Sequence, residues 1–152
     1  MTTRFIPAAL AASALALGAM PATTLAQTLQ GGTSGGVSGQ GVSASTYGSG
    51  VSTTAPDGTS IGVTGGGNAS AADGTATTRS DARLNEQRAM QRSVATARDD
   101  DERARSRTHT VVRQGEVVRS RTSSMYKQRG EKPVREMTTS VTTPEGTTTT
   151  QK

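Results

Sequence analysis

The stretch THTVVRQGEVVRSR, residues 108–121, contains the clearest strand signal in the chain. Threonine and valine favour extended backbone because their branched Cβ atoms restrict the side-chain torsions. Gln114-Gly115 lies between two such runs and predicts a two-residue turn that places Val112 opposite Val117. Because an isolated two-stranded hairpin is marginal in water, the stretch predicts a local hairpin rather than a stable sheet.

Two threonine-flanked Pro-acid-Gly sequences predict further tight turns, at residues 56–58 and 144–146. Proline presets φ near −65° at the first turn position, and glycine accepts the positive φ that closes such loops. Strands at 138–143 and 147–150 could join the 108–121 hairpin in a four-stranded antiparallel sheet. The only sizeable side chains available to fill that sheet are Met125, Tyr126, Val134 and Met137.

The composition argues against a larger core. Hydrophobic residues make up 31% of the 152 residues and aromatic residues 2%, and much of this apolar material lies in the first 26 positions. Ordering the backbone costs roughly 1–2 kcal/mol per residue, which requires apolar burial to offset it. We therefore expect a mostly disordered chain with one solvated α-helix, a few short β-hairpins toward the C-terminus and no compact globular core.

The N-terminal 26 residues are typical of a secretory signal peptide. Arg4 precedes an apolar run that is short for a membrane span, and Thr24-Leu25-Ala26 provides small residues for cleavage before Gln27. The alternative is an uncleaved anchor helix. The alanine-rich signal suggests bacterial export to the periplasm, the cell surface or the medium, and after cleavage no transmembrane segment is expected.

Composition divides the remaining chain into three predicted regions. Residues 27–78 are rich in Gly, Ser and Thr and contain no Lys or Arg, which predicts a disordered linker. Residues 79–107 are rich in Ala, Arg, Gln and Glu after a Ser80 or Asp81 cap, which predicts a charged helix. Residues 108–152 form the predicted basic hairpin region.

The residues needed for catalysis are scarce. Cysteine is absent and His109 is the only histidine. Two Gly-x-Ser-x-Gly matches, at 32–36 and 58–62, lack the strand-to-helix context that exposes a hydrolase serine. The acidic run 99–102 lacks the alternating ligand spacing of a calcium loop. We therefore expect no enzyme activity, no metal site and no cofactor.

Charge is the remaining chemical signal. Residues 79–152 hold 16 of the 17 basic residues and 10 of the 12 acidic ones, whereas the linker contributes only Asp57 and Asp73. Arginine forks suit phosphate groups, so a basic region predicts contact with anionic polymers or lipid headgroups of the cell envelope. Specific nucleic-acid binding is not expected because aromatic residues for base stacking are nearly absent. The predicted polyanion-binding residues are Arg113, Arg119, Arg121, Lys127, Arg129, Lys132 and Arg135, with Arg103, Arg105 and Arg107 as further basic residues on the helix.

Two functional hypotheses follow from this reading. The first is an exported, non-enzymatic, low-complexity protein whose basic half associates with anionic envelope components. The second is a structural or adhesive surface protein that self-assembles when its threonine-rich strand edges pair with other copies.

Overall fold

The structure is a computed structural model that describes residues 27–55 and 58–152. The described residues form nine antiparallel strands, and strands that are consecutive within each sheet are hydrogen-bonded neighbours. The first sheet contains β1 (Gln27–Ser38), β2 (Val42–Ala55) and β3 (Gly58–Ala71). The second contains β4 (Thr75–Leu84), β5 (Arg88–Arg98), β6 (Glu102–Arg113), β7 (Val117–Gln128), β8 (Val134–Thr143) and β9 (Gly146–Gln151).

The two sheets pack face to face as a β-sandwich, with alternate residues of β2, β5, β6 and β7 buried between them. The inward pairs along β6 and β7 show how the interior is filled. Ala104 faces Tyr126 at one end and Val112 faces Val118 at the other. Three hydroxyl pairs lie between these apolar pairs, namely Ser106 with Ser124, Thr108 with Thr122 and Thr110 with Ser120.

The hydroxyl pairs continue across the interior to the first sheet. Thr46 Oγ1 lies 2.8 Å from both Ser106 Oγ and Thr108 Oγ1. Thr33 Oγ1 lies 2.7 Å from Ser120 Oγ and 2.8 Å from Thr122 Oγ1. A hydroxyl can donate one hydrogen bond and accept others, so the hydroxyl groups of this band are hydrogen-bonded to one another.

Glycine on the first sheet lets the two backbones approach closely. A Cβ at Gly48 would collide with Thr110 Oγ1, and one at Gly50 would collide with Val112 Cγ2. The interior is therefore thin, and small side chains are sufficient to fill it.

The predicted mostly disordered chain without a compact core is wrong, and the descriptions "intrinsically disordered" and "low complexity" are corrected with it. Buried Ala, Val, Leu and Tyr residues form two apolar clusters, one at each end of the hydroxyl band. The expectation counted only large apolar side chains as core material. Here buried Ser and Thr residues fill much of the interior as well. Within the predicted linker, residues 27–38, 42–55 and 58–71 form β1, β2 and β3, and residues 75–78 begin β4.

The predicted solvated α-helix is also wrong, because residues 79–107 contribute to β4, β5 and β6. The alternation of exposed and buried residues explains why a strand forms here instead of a helix. Arg103, Arg105 and Arg107 are interleaved with the buried residues Ala104 and Ser106. This period of two places all the arginines on one side of a strand, whereas a helix would distribute them. The acidic run forms a turn in which Asp99 Oδ1 accepts hydrogen bonds from the backbone N–H groups of residues 101 and 102.

The chain does turn within residues 108–121, but the predicted register of the two strands is shifted by one residue. Val112 pairs with Val118, and the loop holds three residues, 114–116, with Gly115 at φ +64°. At the C-terminal Pro-acid-Gly sequence, Thr143 pairs with Gly146 around a two-residue loop. The predicted signal peptide, residues 1–26, and the first two residues of the other Pro-acid-Gly turn, 56 and 57, lie outside the described residues.

Candidate polyanion-binding face

The outward side of the six-stranded sheet carries most of the positive charge of the molecule. The first sheet covers the opposite side, where alternate residues of β5, β6 and β7 are buried. We call this outward side of β4 to β8 the arginine face. Its thirteen basic residues are Arg79, Arg83, Arg88, Arg92, Arg98, Arg103, Arg105, Arg107, Arg113, Arg119, Arg121, Lys127 and Arg135.

Acidic side chains do not balance this charge. Asp81 is the only acidic residue on the arginine face within β4 to β8, and it pairs with Arg79 at 2.9 Å. Several cations lie directly opposite each other, because Arg88 pairs with Arg113 and Arg103 pairs with both Arg98 and Lys127. Like charges in such positions destabilise a sheet. A bound anion would relieve this repulsion.

Two side chains on the arginine face have lowered pKa values. Burial lowers the pKa of Arg107 below its ordinary value, with the neighbouring Arg105 and Arg92 acting in the same direction. Burial also lowers the pKa of His109, with Arg88 and Arg92 acting in the same direction. His109 therefore stays neutral at pH 7 and adds no charge to the face.

Aliphatic side chains separate the arginines. Met90, Val94, Val111 and Met125 point outward and are half-buried. Arginine stems can lie along such surfaces while the guanidinium groups stay in water. Neither described aromatic residue lies on the face, because Tyr126 points into the interior and Tyr47 belongs to β2. The arrangement suits multiple phosphate or carboxylate groups and offers no platform for base stacking.

The predicted binding residues divide into two groups. Arg113, Arg119, Arg121, Lys127 and Arg135 lie on the arginine face. Arg129 and Lys132 lie in the loop between β7 and β8, where Arg129 Nη1 contacts Asp101 Oδ1 at 3.3 Å.

Sequence reasoning did not name five arginines of the face as binding residues, and it placed all eight arginines of residues 79–107 on a helix. The missed residues are Arg79, Arg83, Arg88, Arg92 and Arg98. The alternation of arginine with small residues in 102–113 is the signal that could have identified the strand and its basic side.

An open cleft of about 410 Å³ lies at the turn end of the sandwich, bordered by residues 73–75, 98–103 and 127–129. Among its acidic residues, Glu102 already has a structural role. Glu102 Oε1 accepts a hydrogen bond from the Tyr126 hydroxyl, and Glu102 Oε2 accepts one from the Gly41 N–H at 2.8 Å. Together with burial, this contact raises the pKa of Tyr126. Within residues 27–55 and 58–152, no group of three His, Cys, Asp or Glu side chains is arranged to hold a metal ion.

Comparisons with protein-family models, curated proteins and solved structures found no match. In the part of the chain that the structure describes, no helix has the length and apolar character that a membrane crossing requires.

Proposed function

We propose that the protein is exported and non-enzymatic, and that it binds anionic components of the cell envelope through the arginine face. The observation that supports this proposal is the charge distribution: thirteen basic residues and one acidic residue share one side of a sheet.

The spacing of a β-sheet suits a surface of repeated anions. Neighbouring strands lie about 4.8 Å apart, and residues on one side of a strand recur about every 6.8 Å. Arginine at these positions forms a two-dimensional set of guanidinium groups, each able to bind a phosphate through two hydrogen bonds. Binding neutralises several opposed cations at once, so affinity should fall steeply with salt.

Retention on immobilised lipopolysaccharide, measured as a function of salt concentration, tests the proposal. The double variant Arg107→Gln/Arg121→Gln removes two charges from the middle of the face. We expect it to lower affinity about tenfold near physiological salt and to flatten the salt dependence. Arg129→Gln/Lys132→Gln is the matched control, because it removes two charges from the β7–β8 loop. Equal losses in the two variants would show that overall charge, rather than the face, governs retention.

Export has its own test. Mass spectrometry of the protein recovered from the periplasm or medium should show an N-terminus at Gln27. Recovery only from the cytoplasm, or a mature chain that still starts at Met1, would contradict the export part of the proposal.

Self-assembly is a second candidate function, and β9 is the feature that favours it. The six residues of β9 are exposed, uncharged and free of proline, and in the sheet β9 pairs only with β8. Natural edge strands usually carry charge or proline to prevent pairing with other chains. Pairing of β9 with a second copy would extend the six-stranded sheet.

Thr149→Pro tests this candidate. Lys152 exchanges backbone hydrogen bonds with Met137, so by strand alternation the N–H of residue 149 points away from β8. Proline there removes one outward donor and leaves the β8 pairing intact. We expect concentration-dependent oligomers of the wild type, detected by sedimentation velocity, to decrease in this variant. Oligomers that persist unchanged would rule out the β9 edge.

A further inference from the structure

His109 lies in the middle of the arginine face, and the residues directly opposite it on both neighbouring strands are arginines. Arg92 of β5 and Arg121 of β7 are its register partners. The Cβ atoms of directly opposed residues in an antiparallel sheet are about 4.5–5.5 Å apart. Arg107 is the preceding outward residue of β6, about 6.8 Å along the strand. The only histidine of the chain is therefore surrounded by three cations.

Arg92 and Arg107 are the two of these cations that can share an anion with His109. The guanidinium group of Arg121 turns toward β8, where its Nη2 donates a hydrogen bond to Met137 Sδ at 2.7 Å. Within residues 27–55 and 58–152, neither Arg92 nor Arg107 forms an ion pair with a carboxylate. An anionic group beside His109 would therefore meet two guanidinium forks whose charge is not yet neutralised.

The charged groups that face His109 from its own strand and both neighbouring strands are all cationic. They are Arg88 and Arg92 on β5, Arg107 on β6, and Arg119 and Arg121 on β7. The acidic residue nearest in register is Asp81 of β4, which lies beyond Arg92 and contacts Arg79 at 2.9 Å. A bound anion would thus be the closest negative charge to the imidazole.

The surroundings of His109 also limit its contact with water. Three half-buried aliphatic residues lie beside it, namely Met90, Val94 and Val111. Burial is the largest cause of the lowered pKa of His109, followed by Arg88 and Arg92. The imidazole is therefore neutral at pH 7 in the free protein, because neither water nor a carboxylate stabilises its charged form.

We propose that Arg92, Arg107 and His109 form a subsite for one phosphate or sulfate group of a bound polymer, and that His109 takes up a proton when this group binds. The subsite is part of the arginine face and rests on the function proposed for that face. A negative charge next to the imidazole stabilises the protonated form that the arginines disfavour in the free protein.

This coupling makes binding depend on pH. Because the anion favours the proton, the proton must favour the anion by the same factor. The pKa of His109 is lowered in the free protein and should be higher in the complex, so affinity should rise as the pH falls from the bound-state value to the free-state value. Below the free-state value both forms are protonated, and the affinity should become constant.

Heparin is a suitable probe, because its sulfate groups keep their charge between about pH 5.5 and pH 7.5, a range in which phosphate monoesters titrate. Histidine is the only side chain that ordinarily titrates in this range. At constant salt, we expect the affinity for heparin to rise about fivefold from pH 7.5 to pH 5.5. Calorimetry near pH 6.5 in two buffers of different ionisation enthalpy should show proton uptake on binding.

Three variants locate the proton. His109→Gln should abolish both the rise in affinity and the proton uptake. Arg92→Gln should reduce the rise, because the free imidazole becomes easier to protonate and the bound anion loses one contact. Arg135→Gln is the matched control: it removes the same charge from β8, so it should lower affinity at both pH values and retain the rise.

The outcomes separate the subsite from the function proposed for the whole face. Equal wild-type affinity at both pH values, a rise that persists in His109→Gln, or an identical rise in Arg92→Gln and Arg135→Gln would overturn the subsite and leave polyanion binding intact. A wild-type protein that does not bind heparin at either pH would contradict the proposed function as well.

Discussion

At the scale of single residues, the interior depends on hydroxyl groups that satisfy one another. Thr46 illustrates this, because its Oγ1 contacts the hydroxyls of Ser106 and Thr108 across the two sheets. A buried hydroxyl without partners costs about 1–3 kcal/mol, whereas a paired one is a net contributor. The same side chains that would destabilise an apolar core therefore connect the sheets.

Thr46→Val should lower the free energy of unfolding by about 1–3 kcal/mol, because valine keeps the shape and removes both inter-sheet hydrogen bonds. Denaturant unfolding measures the loss. Thr28→Val is the matched control, since Thr28 and Thr53 form an exposed hydroxyl pair 3.3 Å apart. We expect the control to stay within about 0.5 kcal/mol of the wild type. A smaller loss at Thr46 than at Thr28 would contradict the role of the hydroxyl band.

Gly48→Ala should destabilise the sandwich by about 1–3 kcal/mol, because the new Cβ would press on Thr110 and Thr108 of the opposite sheet. Gly62→Ala is the control on a neighbouring strand. A Cβ at Gly62 has nothing within 4 Å, and alanine suits a strand better than glycine, so its stability should be unchanged or slightly raised. Thermal melts of the two variants would show whether close approach of the sheets is what requires glycine. Equal destabilisation would contradict this.

At the scale of elements, the sequence predicted strands where valine and threonine cluster and failed where small residues predominate. Residues 108–121 were recognisable because β-branched residues flank a glycine turn. Residues 88–98 read as helix because Ala, Gln and Arg favour helices, although Ala89, Gln91 and Ser93 all point into the interior. Tertiary packing overrides that local preference. Even in 108–121 the register could not be derived, because loops of two and three residues are both compatible with one glycine.

His109, which lies on the arginine face, should make the stability of the protein depend on pH. The pKa of His109 is lowered in the folded protein, so the unfolded chain binds more protons between that value and about 6.5. The contribution of neutral His109 to stability is present above pH 6.5 and is lost as the pH falls through the folded-state pKa. NMR titration of this single histidine should show the lowered pKa, and added lipopolysaccharide should raise it. His109→Gln should lose less stability than the wild type between pH 7 and pH 5; an identical loss would contradict the prediction.

At the scale of the whole molecule, the candidate site could be predicted in part. The positive charge of Arg113, Arg119 and Arg121 was evident from composition, but its collection on one surface was not. That collection depends on the pairing of five strands, which brings together residues as distant in sequence as Arg79 and Arg135.

The two sheets should unfold together. Inter-sheet hydroxyl bonds and both apolar clusters join β1, β2 and β3 with β5, β6 and β7, so neither sheet retains its interior without the other. Calorimetry of residues 27–152 should therefore show one sharp transition with an enthalpy on the order of 80–90 kcal/mol, as for other proteins of this size. Amide exchange should be slowest in β6 and β7, which lie at the centre of the larger sheet, and fastest in the exposed outer strands β4 and β9. A broad transition of low enthalpy, or uniformly fast exchange, would contradict the cooperative sandwich.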